Sequence, residues 1–259
     1  MSKLSAIILT KNSENLLADC IESIKELANE IIVIDDNSTD RTTELAKHLG
    51  ARVETVSESL NFADKRNLGL KKSKSKWILY IDDDERLTPE LMHSLQSITT
   101  LKKPEYQAYK ILRKNHYFGN NAWPFIESLE RLFEKSSLKV WHGPVHETPK
   151  VDGKIGELKG FLLHYTHRDL TSMVNKTIEW SKIEAELRFK SNHPPIVWWR
   201  FPRVMITGFL NSYIRQKGYK AGTVGLLESI YQAFSMFITY ARLWEMQQKN
   251  VKEYILSNQ

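Results

Sequence analysis

Short apolar runs alternate with helix-like apolar stripes over the first 100 residues. The runs are nearly continuous in apolar residues, which is typical of strands buried on both faces. They lie at 4–9, 30–35, 51–56 and 77–82. Between them, apolar residues recur at helical spacing, as in the stripe Leu16, Leu17, Cys20, Ile21, Ile24 and Leu27. This alternation predicts an α/β fold with a mostly parallel central sheet.

Polar residues and glycine indicate where the predicted helices begin and end. Ser38 or Thr39 is a suitable N-cap for the second helix, and Gly50 is placed to end it. A third helix is predicted at 63–72. Thr88 followed by Pro89 is a typical helix start, because proline fits the first helical position.

The pattern changes after about residue 105. Strands, or strand mixed with turn, are predicted at 106–118, 127–140 and 156–167. Helical stretches follow at 169–190 and 196–246, the second with a glycine-rich break. We therefore expect two domains, a catalytic domain at 1–168 and a helical C-terminal extension at 169–259.

Three polar clusters follow predicted strands, at 10–15 ("TKNSEN"), 35–40 ("DDNSTD") and 82–85 ("DDDE"). In parallel sheets, ligands bind beyond the carboxyl ends of the strands. In an extended chain Asp82 and Asp84 would point the same way, while Asp83 would face elsewhere or touch a ribose. Two carboxylates and a nucleotide's phosphates suit Mg²⁺ or Mn²⁺. A solvated acidic turn is the alternative interpretation.

Two further groups are candidates for nucleotide binding. Asp35 and Asp36 could accept hydrogen bonds from a base or a ribose, although helix capping also explains such residues. Lys65 and Arg66 could meet a diphosphate, although a solvated helix face explains them as well.

Together these segments resemble family 2 glycosyltransferases of the GT-A fold. The stretches "IILTKNSENL", "IIVIDDNSTDRT", "NFADKRNLGL" and "WILYIDDDERL" occur in that family's order and at its spacing. The resemblance implies a sugar-nucleotide donor and a divalent metal, Mg or Mn. It assigns the donor to Thr10, Glu14, Asp35, Asp36, Lys65 and Arg66, and the metal to Asp82 and Asp84.

Downstream, the segment "WHGPVHETP" (141–149) replaces the acidic "ED" pair common in the family. With the later "HY" and a basic, aromatic C-terminus, the chain resembles the bacterial lipopolysaccharide-core glucosyltransferase subgroup. That likeness implies a UDP-hexose donor, glucose being the first candidate. The acceptor would be a membrane-anchored glycan, such as lipopolysaccharide core or a polyprenyl-linked saccharide.

Glycosyl transfer needs a group that accepts the proton of the acceptor hydroxyl. Glu147 is the candidate base, because it follows the core sheet and stands in the family's acidic position. His146 would orient it or act itself, and the competing carboxylates are Glu127 and Glu130. The resemblance also implies inversion at the anomeric centre. His164 is a further candidate ligand to the donor's metal or phosphate.

The basic charge and the tryptophans of the C-terminal region favour an anionic surface as its partner. Of the net charge of +6, residues 195–259 carry eight Lys/Arg and three Glu, together with Trp198, Trp199 and Trp244. A membrane leaflet fits this composition, and we expect no nucleic-acid partner. Residues 222–241 hold a single charge, Glu228, which leaves open a membrane span, an interfacial helix, core packing or a homodimer contact.

The expected location is cytoplasmic, peripheral on the inner face of the cell membrane. The N-terminus lacks signal-peptide features, and the single cysteine permits no internal disulfide. Two other classes of protein are alternative interpretations. A nucleotidyltransferase would normally carry an early glycine-rich phosphate loop, which "TKNSEN" does not provide. A non-catalytic lipid- or nucleic-acid-binding module would leave the ordered polar clusters unexplained.

Overall fold

The computed structural model describes residues 4–57, 60–143 and 147–257, with side chains described up to residue 249. The chain divides into two units. The first comprises residues 1–114 and 126–165, and the second comprises 115–125 and 166–259. This division differs from the expected boundary after residue 168, mainly because residues 115–125 group with the C-terminal helices.

The strands of the described chain form one eight-stranded sheet and one two-stranded sheet. They are β1 (Leu4–Thr10), β2 (Glu30–Asp35), β3 (Arg52–Thr55), β4 (Trp77–Asp82), β5 (Glu85–Leu87), β6 (Ala108–Tyr117), β7 (Asn121–Glu134), β8 (Leu138–His142), β9 (Thr148–Val151) and β10 (Ile155–Tyr165). The large sheet has the order β3-β2-β1-β4-β7-β6-β10-β5, and β8 pairs with β9. Strands β3, β2, β1 and β4 are mutually parallel, whereas β7 runs antiparallel to β4.

Among the described residues, four α-helices belong to the first unit and three to the second. They are α1 (Leu17–Ile24), α2 (Thr42–His48), α3 (Phe62–Lys72), α4 (Pro89–Thr99), α5 (Leu170–Lys190), α6 (Arg200–Leu210) and α7 (Gly222–Ser257). A π-helical turn (Asn211–Arg215) and a 3-10 turn (Gly218–Ala221) connect α6 to α7. The α/β fold with its parallel core and helical C-terminus is confirmed.

The central strands are buried on both faces, as their continuous apolar sequences predict. One face of the sheet packs against α1 and α4 through residues such as Ile21 and Leu91. The other face packs against α3 and β8 through Ala63 and Trp141. Gly69 lets α3 approach β1 closely, since a Cβ there would lie 2.5 Å from Ile7 Cγ2. The first residues of α3, which include Lys65 and Arg66, are thereby held at the sheet.

One local prediction was wrong. The second helix begins at Thr42 rather than after Ser38 or Thr39, and the Asp40 side chain accepts from the Thr42 amide. Ser38 instead accepts from the Asn12 amide, because short polar side chains in loops also bind neighbouring loops. The stretch 127–140 mixes strand and turn, as expected: it holds the end of the long strand β7, a turn and the start of β8.

The second unit is a helical layer with a polar pair inside it. Residues Ala185, Ile196, Val204, Tyr240 and Leu243 form its apolar core. The buried Glu228 carboxylate lies 3.0 Å from His167 Nδ1 and accepts a 2.7 Å hydrogen bond from Gln232 Nε2. In the ranges that the structure describes, every helix is too short or too polar to cross a bilayer.

Candidate active site

The strand register brings the three polar clusters to one edge of the sheet. Thr10, the last residue of β1, lies opposite Asp35, the last residue of β2. On the other side of β1, Leu9 lies opposite Asp82, the last residue of β4. Because these strands are parallel, their carboxyl ends and the loops that follow meet at this edge.

The carboxylates at 82–84 do not alternate as an extended strand would require. Strand β4 ends at Asp82, and Asp83 and Asp84 form a turn before β5. Arg86 fixes this turn by donating to the carbonyl oxygen of Asp83. Asp83 consequently turns toward β1 and accepts a 2.7 Å hydrogen bond from the Thr10 hydroxyl. The strand alternation therefore stops at Asp82 and does not determine which way Asp84 faces, whereas Asp83 and Asp82 do have different partners, as expected.

Asp83 is a buried carboxyl beside another carboxyl. Burial raises the pKa of Asp83, and the charge of Asp84 raises it further, to about 7. Hydrogen bonds from Ser13 and Thr10 act in the opposite direction. The Asp83–Asp84 turn thus brings two carboxyl groups close together in a buried position.

Asp82 has the opposite environment, because arginines surround it. Arg131 Nη2 lies 2.6 Å from Asp82 Oδ2, and Arg66 Nη2 lies 3.3 Å from Oδ1. Burial alone would raise the pKa of Asp82, but these two guanidinium groups outweigh it and hold the pKa well below its usual range. Arginine side chains contact both carboxylate oxygens of Asp82, so neither oxygen is left to bind a metal without displacing an arginine.

The arginines belong to a network that the motifs did not reveal. Glu85, fully buried, accepts from Arg113 at 3.1 Å and from Arg131 at 3.0 Å. Arg113 also pairs with Glu127 at 2.7 Å. One signal was available in the sequence: Arg113 and Arg131 interrupt apolar strand patterns, and a buried arginine requires a carboxylate partner.

Arg66 joins this network to Glu147. Its Nε donates to Glu147 Oε1 at 2.7 Å, and its guanidinium carbon lies 5.0 Å from the centre of the Trp141 ring. The Nη1 atom of Arg66 is buried and has no hydrogen-bond partner among the described residues. The next residue, Asn67, holds β8 from both sides, donating to the Trp141 carbonyl at 2.9 Å and accepting from its amide at 2.8 Å.

The carboxylates after β2 lie beside lysines. Lys65 Nζ is 2.8 Å from Asp36 Oδ2, and Lys11 Nζ is 3.6 Å from the same oxygen. Asp35 is fully buried, and its Oδ2 accepts from the Ser38 amide at 3.2 Å. The Oδ1 atoms of Asp35 and Asp36 are both buried without a hydrogen-bond partner in the described ranges. Two carboxylate oxygens at this edge can therefore accept hydrogen bonds from a ligand.

Glu14 has a structural contact in the same loop. Its carboxylate accepts from the Arg41 amide at 3.1 Å, and its own amide donates to Asp40 at 3.2 Å. These bonds tie the loop after β1 to the start of α2.

A carboxylate and an imidazole meet on the far side of the Asp83 turn. Asp84 Oδ2 lies 3.2 Å from His164 Nε2, and the Tyr165 amide donates to the Asp84 carbonyl at 2.9 Å. No group of three or more His, Cys, Asp or Glu side chains suited to a metal occurs in the described part of the chain. A carboxylate oxygen and a ring nitrogen are nevertheless ligands that Mn²⁺ accepts, and nucleotide phosphates could complete such a shell.

Comparison with known proteins identifies the family. A family model described as Glycosyl transferase family 2 matches residues 5–148. The chain belongs to glycosyl transferase family 2.

Several relatives of this family 2 member match over nearly their whole length. An uncharacterised glycosyltransferase of Rickettsia typhi is 31% identical, covering 96% of this chain and 89% of its own. The lipopolysaccharide core biosynthesis glycosyltransferase LpsC of Rhizobium meliloti is 26% identical, covering 93% and 92%. The mannosyltransferase PcManGT of Pyrobaculum calidifontis, solved with GDP-Man and Mn²⁺, has a TM-score of 0.54 at 12% identity, covering 94% and 88%.

These comparisons confirm the GT-A fold, the resemblance to lipopolysaccharide-core enzymes and the enzyme class. This family 2 member is a glycosyltransferase, and its family's chemistry uses nucleotide-sugar donors. Nucleotidyl transfer and a non-catalytic binding module lose their support, because the family match covers the polar clusters themselves.

The remaining predicted site residues fall into two groups. Glu147 lies in the described chain beside Arg66, whereas His146 lies outside the described residues. Of the competing carboxylates, Glu127 is engaged by Arg113. The roles assigned to all of them stay predictions.

Proposed function

We propose that this glycosyltransferase moves a hexose, with glucose as the first candidate, from a UDP-sugar to a hydroxyl of a membrane-anchored glycan. Transfer would invert the anomeric centre and use a divalent metal. The observation that carries the proposal is the convergence of three features at one sheet edge. They are the unpartnered carboxylate oxygens of Asp35 and Asp36, the Asp84–His164 pair, and Glu147 held by Arg66.

The donor's nucleoside would lie against β1 and β2. A buried acceptor without a partner is costly, so a ligand that donates a hydrogen bond there gains affinity. Asp35 Oδ1 and Asp36 Oδ1 suit the N3–H of uracil and the hydroxyls of ribose. Thr10 and Asp83, already joined by a hydrogen bond, form the adjoining wall.

A divalent metal would be held by Asp84 and His164, with oxygens of the donor's diphosphate as further ligands. We do not assign Asp82 to it, because the arginines already engage both of that residue's oxygens. When bound, such a metal offsets the negative charge that develops on the leaving diphosphate. Lys65, 2.8 Å from Asp36, adds a cation to the same region.

The acceptor hydroxyl would be activated by Glu147. Arg66 engages Oε1, and Oε2 is the oxygen that we assign to the hydroxyl proton. The hydroxyl oxygen forms a bond to the anomeric carbon as the bond from that carbon to the β-phosphate oxygen breaks, and UDP leaves. The proton passes to Glu147. One displacement on the face opposite the diphosphate gives inversion.

The likeness to LpsC supports the choice of acceptor. That relative is described as acting in lipopolysaccharide core biosynthesis, and its similarity extends through the C-terminal helices as well as the catalytic sheet. A lipid-anchored acceptor places the reaction at a membrane surface, and we propose the inner face of the cell membrane.

A donor screen tests the proposal. Calorimetric titration of the purified chain with UDP-glucose, other UDP-hexoses, GDP-mannose and TDP-glucose should give binding with a UDP-sugar. Binding should weaken when EDTA replaces Mn²⁺. Binding of GDP- or TDP-sugars with no UDP-sugar bound would refute the donor assignment. Equal affinity in EDTA and in Mn²⁺ would refute the metal.

A further inference from the structure

Helix α6 presents two faces of different character. One face packs on α7: the rings of Phe201 and Phe237 lie 5.7 Å apart, Val204 is buried, and a Cβ on Gly208 would lie 3.1 Å from the Met236 side chain. Beyond the helix end, the hydroxyls of Ser212 and Ser229 continue this contact at 3.0 Å. Helix α6 is therefore closely packed against α7 along this face.

The opposite face of α6 is apolar and exposed. Ile206, Leu210 and Ile214 follow at intervals of four residues, which places them on one side of a helix. The exposed large apolar residues of this segment, with their exposed fractions, are Val197 (42%), Trp198 (80%), Trp199 (42%), Met205 (37%), Ile206 (59%), Leu210 (49%), Ile214 (55%) and Tyr219 (50%). We call the exposed apolar and basic side chains of residues 197–220 the α6 face. So many large apolar side chains together are unusual on a surface that faces only water.

The charged residues of the α6 face are all basic. Between Glu186 and Glu228 the sequence contains no acidic residue and seven basic ones. Five of the seven lie within the α6 face: Arg200, Arg203, Arg215, Lys217 and Lys220. The guanidinium groups of Arg200 and Arg203 lie 4.8 and 5.7 Å from the Trp199 ring, so cations border the exposed aromatic residue.

We propose that the α6 face is a monotopic membrane-binding surface that lies in the interface of a bilayer containing anionic lipid. Ile206, Leu210, Ile214 and the tryptophans would enter the boundary between headgroups and acyl chains. The arginines and lysines would meet the phosphates of the headgroups.

A second copy of the chain is the less suitable occupant. In a twofold dimer the same patch lies on both sides of the interface, so five cations would meet five cations without an acidic partner within the segment. An anionic membrane offers complementary charge and an apolar layer together.

This membrane-binding surface rests on the proposed function in one respect: the enzyme would bind a membrane because its acceptor is anchored there. Its evidence comes from a different part of the chain. Vesicle binding without turnover tests the surface, whereas UDP binding without vesicles tests the donor site, so the two proposals can fail separately.

The experiment is co-sedimentation of the full chain with vesicles of phosphatidylcholine alone or with 30% phosphatidylglycerol. The wild type should bind the anionic vesicles and bind neutral vesicles far more weakly, with affinity falling as salt is raised. The variant I206S/L210S should bind about tenfold more weakly or worse, because two apolar side chains no longer enter the interface. Each of R203Q and R215Q should weaken binding by about fivefold.

The matched control removes equally exposed apolar residues from another helix. Leu170 and Ile178 on α5 are 63% and 50% exposed, close to the values for Ile206 and Leu210. The variant L170S/I178S should bind vesicles like the wild type. UDP binding and helix content by circular dichroism should be unchanged in both double variants, which shows that the first unit and the helical second unit are both folded. The proposal would be overturned if the wild type did not bind anionic vesicles, or if both double variants lost vesicle binding equally. It would also be overturned if the wild type were a dimer that I206S/L210S converts to a monomer without changing vesicle binding.

Discussion

The Nε atom of Arg66 on α3 lies 2.7 Å from Oε1 of Glu147, which follows β8. This contact joins the helix of the donor-side motif to the residue proposed to act on the acceptor. Both side chains are largely buried, and Trp141 covers the guanidinium group. The proposed donor-binding residue Arg66 and the proposed base Glu147 are therefore in direct contact within the first unit.

The support for this contact comes from Asn67. Replacing Asn67 by Ala removes both hydrogen bonds to the Trp141 backbone. We expect about 1–2 kcal/mol lower free energy of unfolding, and a kcat about tenfold lower at unchanged donor affinity, because Glu147 is positioned less well. Urea unfolding and steady-state kinetics measure these quantities.

Asn61→Ala is the matched control for that variant. Asn61 caps α3 by accepting from the Asp64 amide at 3.0 Å, so its loss should cost about 1 kcal/mol without disturbing β8. If both variants lower kcat equally, Asn67 contributes only stability.

Asp82 is expected to act in stability. In Asp82→Asn the size is kept, but Arg66 and Arg131 lose the charge that balances them. Removing one partner of a fully buried pair typically costs about 3–5 kcal/mol, and the 28% exposure of Asp82 reduces the expected loss to about 2 kcal/mol. Chemical denaturation checks this value. A variant as stable as the wild type would show that the arginines do not depend on Asp82.

Asp84 is expected to act in metal binding. Asp84→Asn should keep the wild-type stability or exceed it, because the charge that raises the pKa of Asp83 is gone. The gain in UDP affinity on adding Mn²⁺ should disappear, as followed by calorimetry. If Asp84→Asn keeps that gain and Asp82→Asn loses it, Asp82 rather than Asp84 would be the metal ligand.

Asp35 is expected to contact the nucleoside. Asp35→Asn replaces a charged acceptor by an amide, and UDP affinity should fall by roughly tenfold or more, since hydrogen bonds to charged groups contribute about 1.5–3 kcal/mol. Calorimetry with UDP and with inorganic diphosphate separates the two parts of the ligand. Equal weakening of both ligands would argue against a nucleoside contact.

Local patterns predicted the parts of the fold that depend on neighbouring residues. The strands at 30–35 and 77–82 and the Thr88-Pro89 helix start are present as expected, because apolar runs and caps depend on adjacent residues. The edge of the sheet was equally predictable, since parallel strands bring their carboxyl ends together.

The side-chain partners at that edge were not predictable in the same way. Arg131 reaches Asp82 across 49 positions of sequence, through strand pairing that periodicity does not specify. The turn at Asp83 depends on Arg86 and on the burial of Glu85, neither of which a two-residue alternation contains. A three-residue acidic run therefore indicated where the candidate site lies but not which carboxylate faces which partner.

The most direct test of the account is the rate of sugar transfer by Glu147→Gln. The measurement follows radiolabel from the UDP-sugar that binds into lipid-linked glycans of the source organism's membranes, with Glu127→Gln as control. We predict a kcat about 10²–10⁴-fold lower for Glu147→Gln, at unchanged UDP-sugar affinity, and a near-normal kcat for the control. Transfer by Glu147→Gln at the wild-type rate would contradict the account.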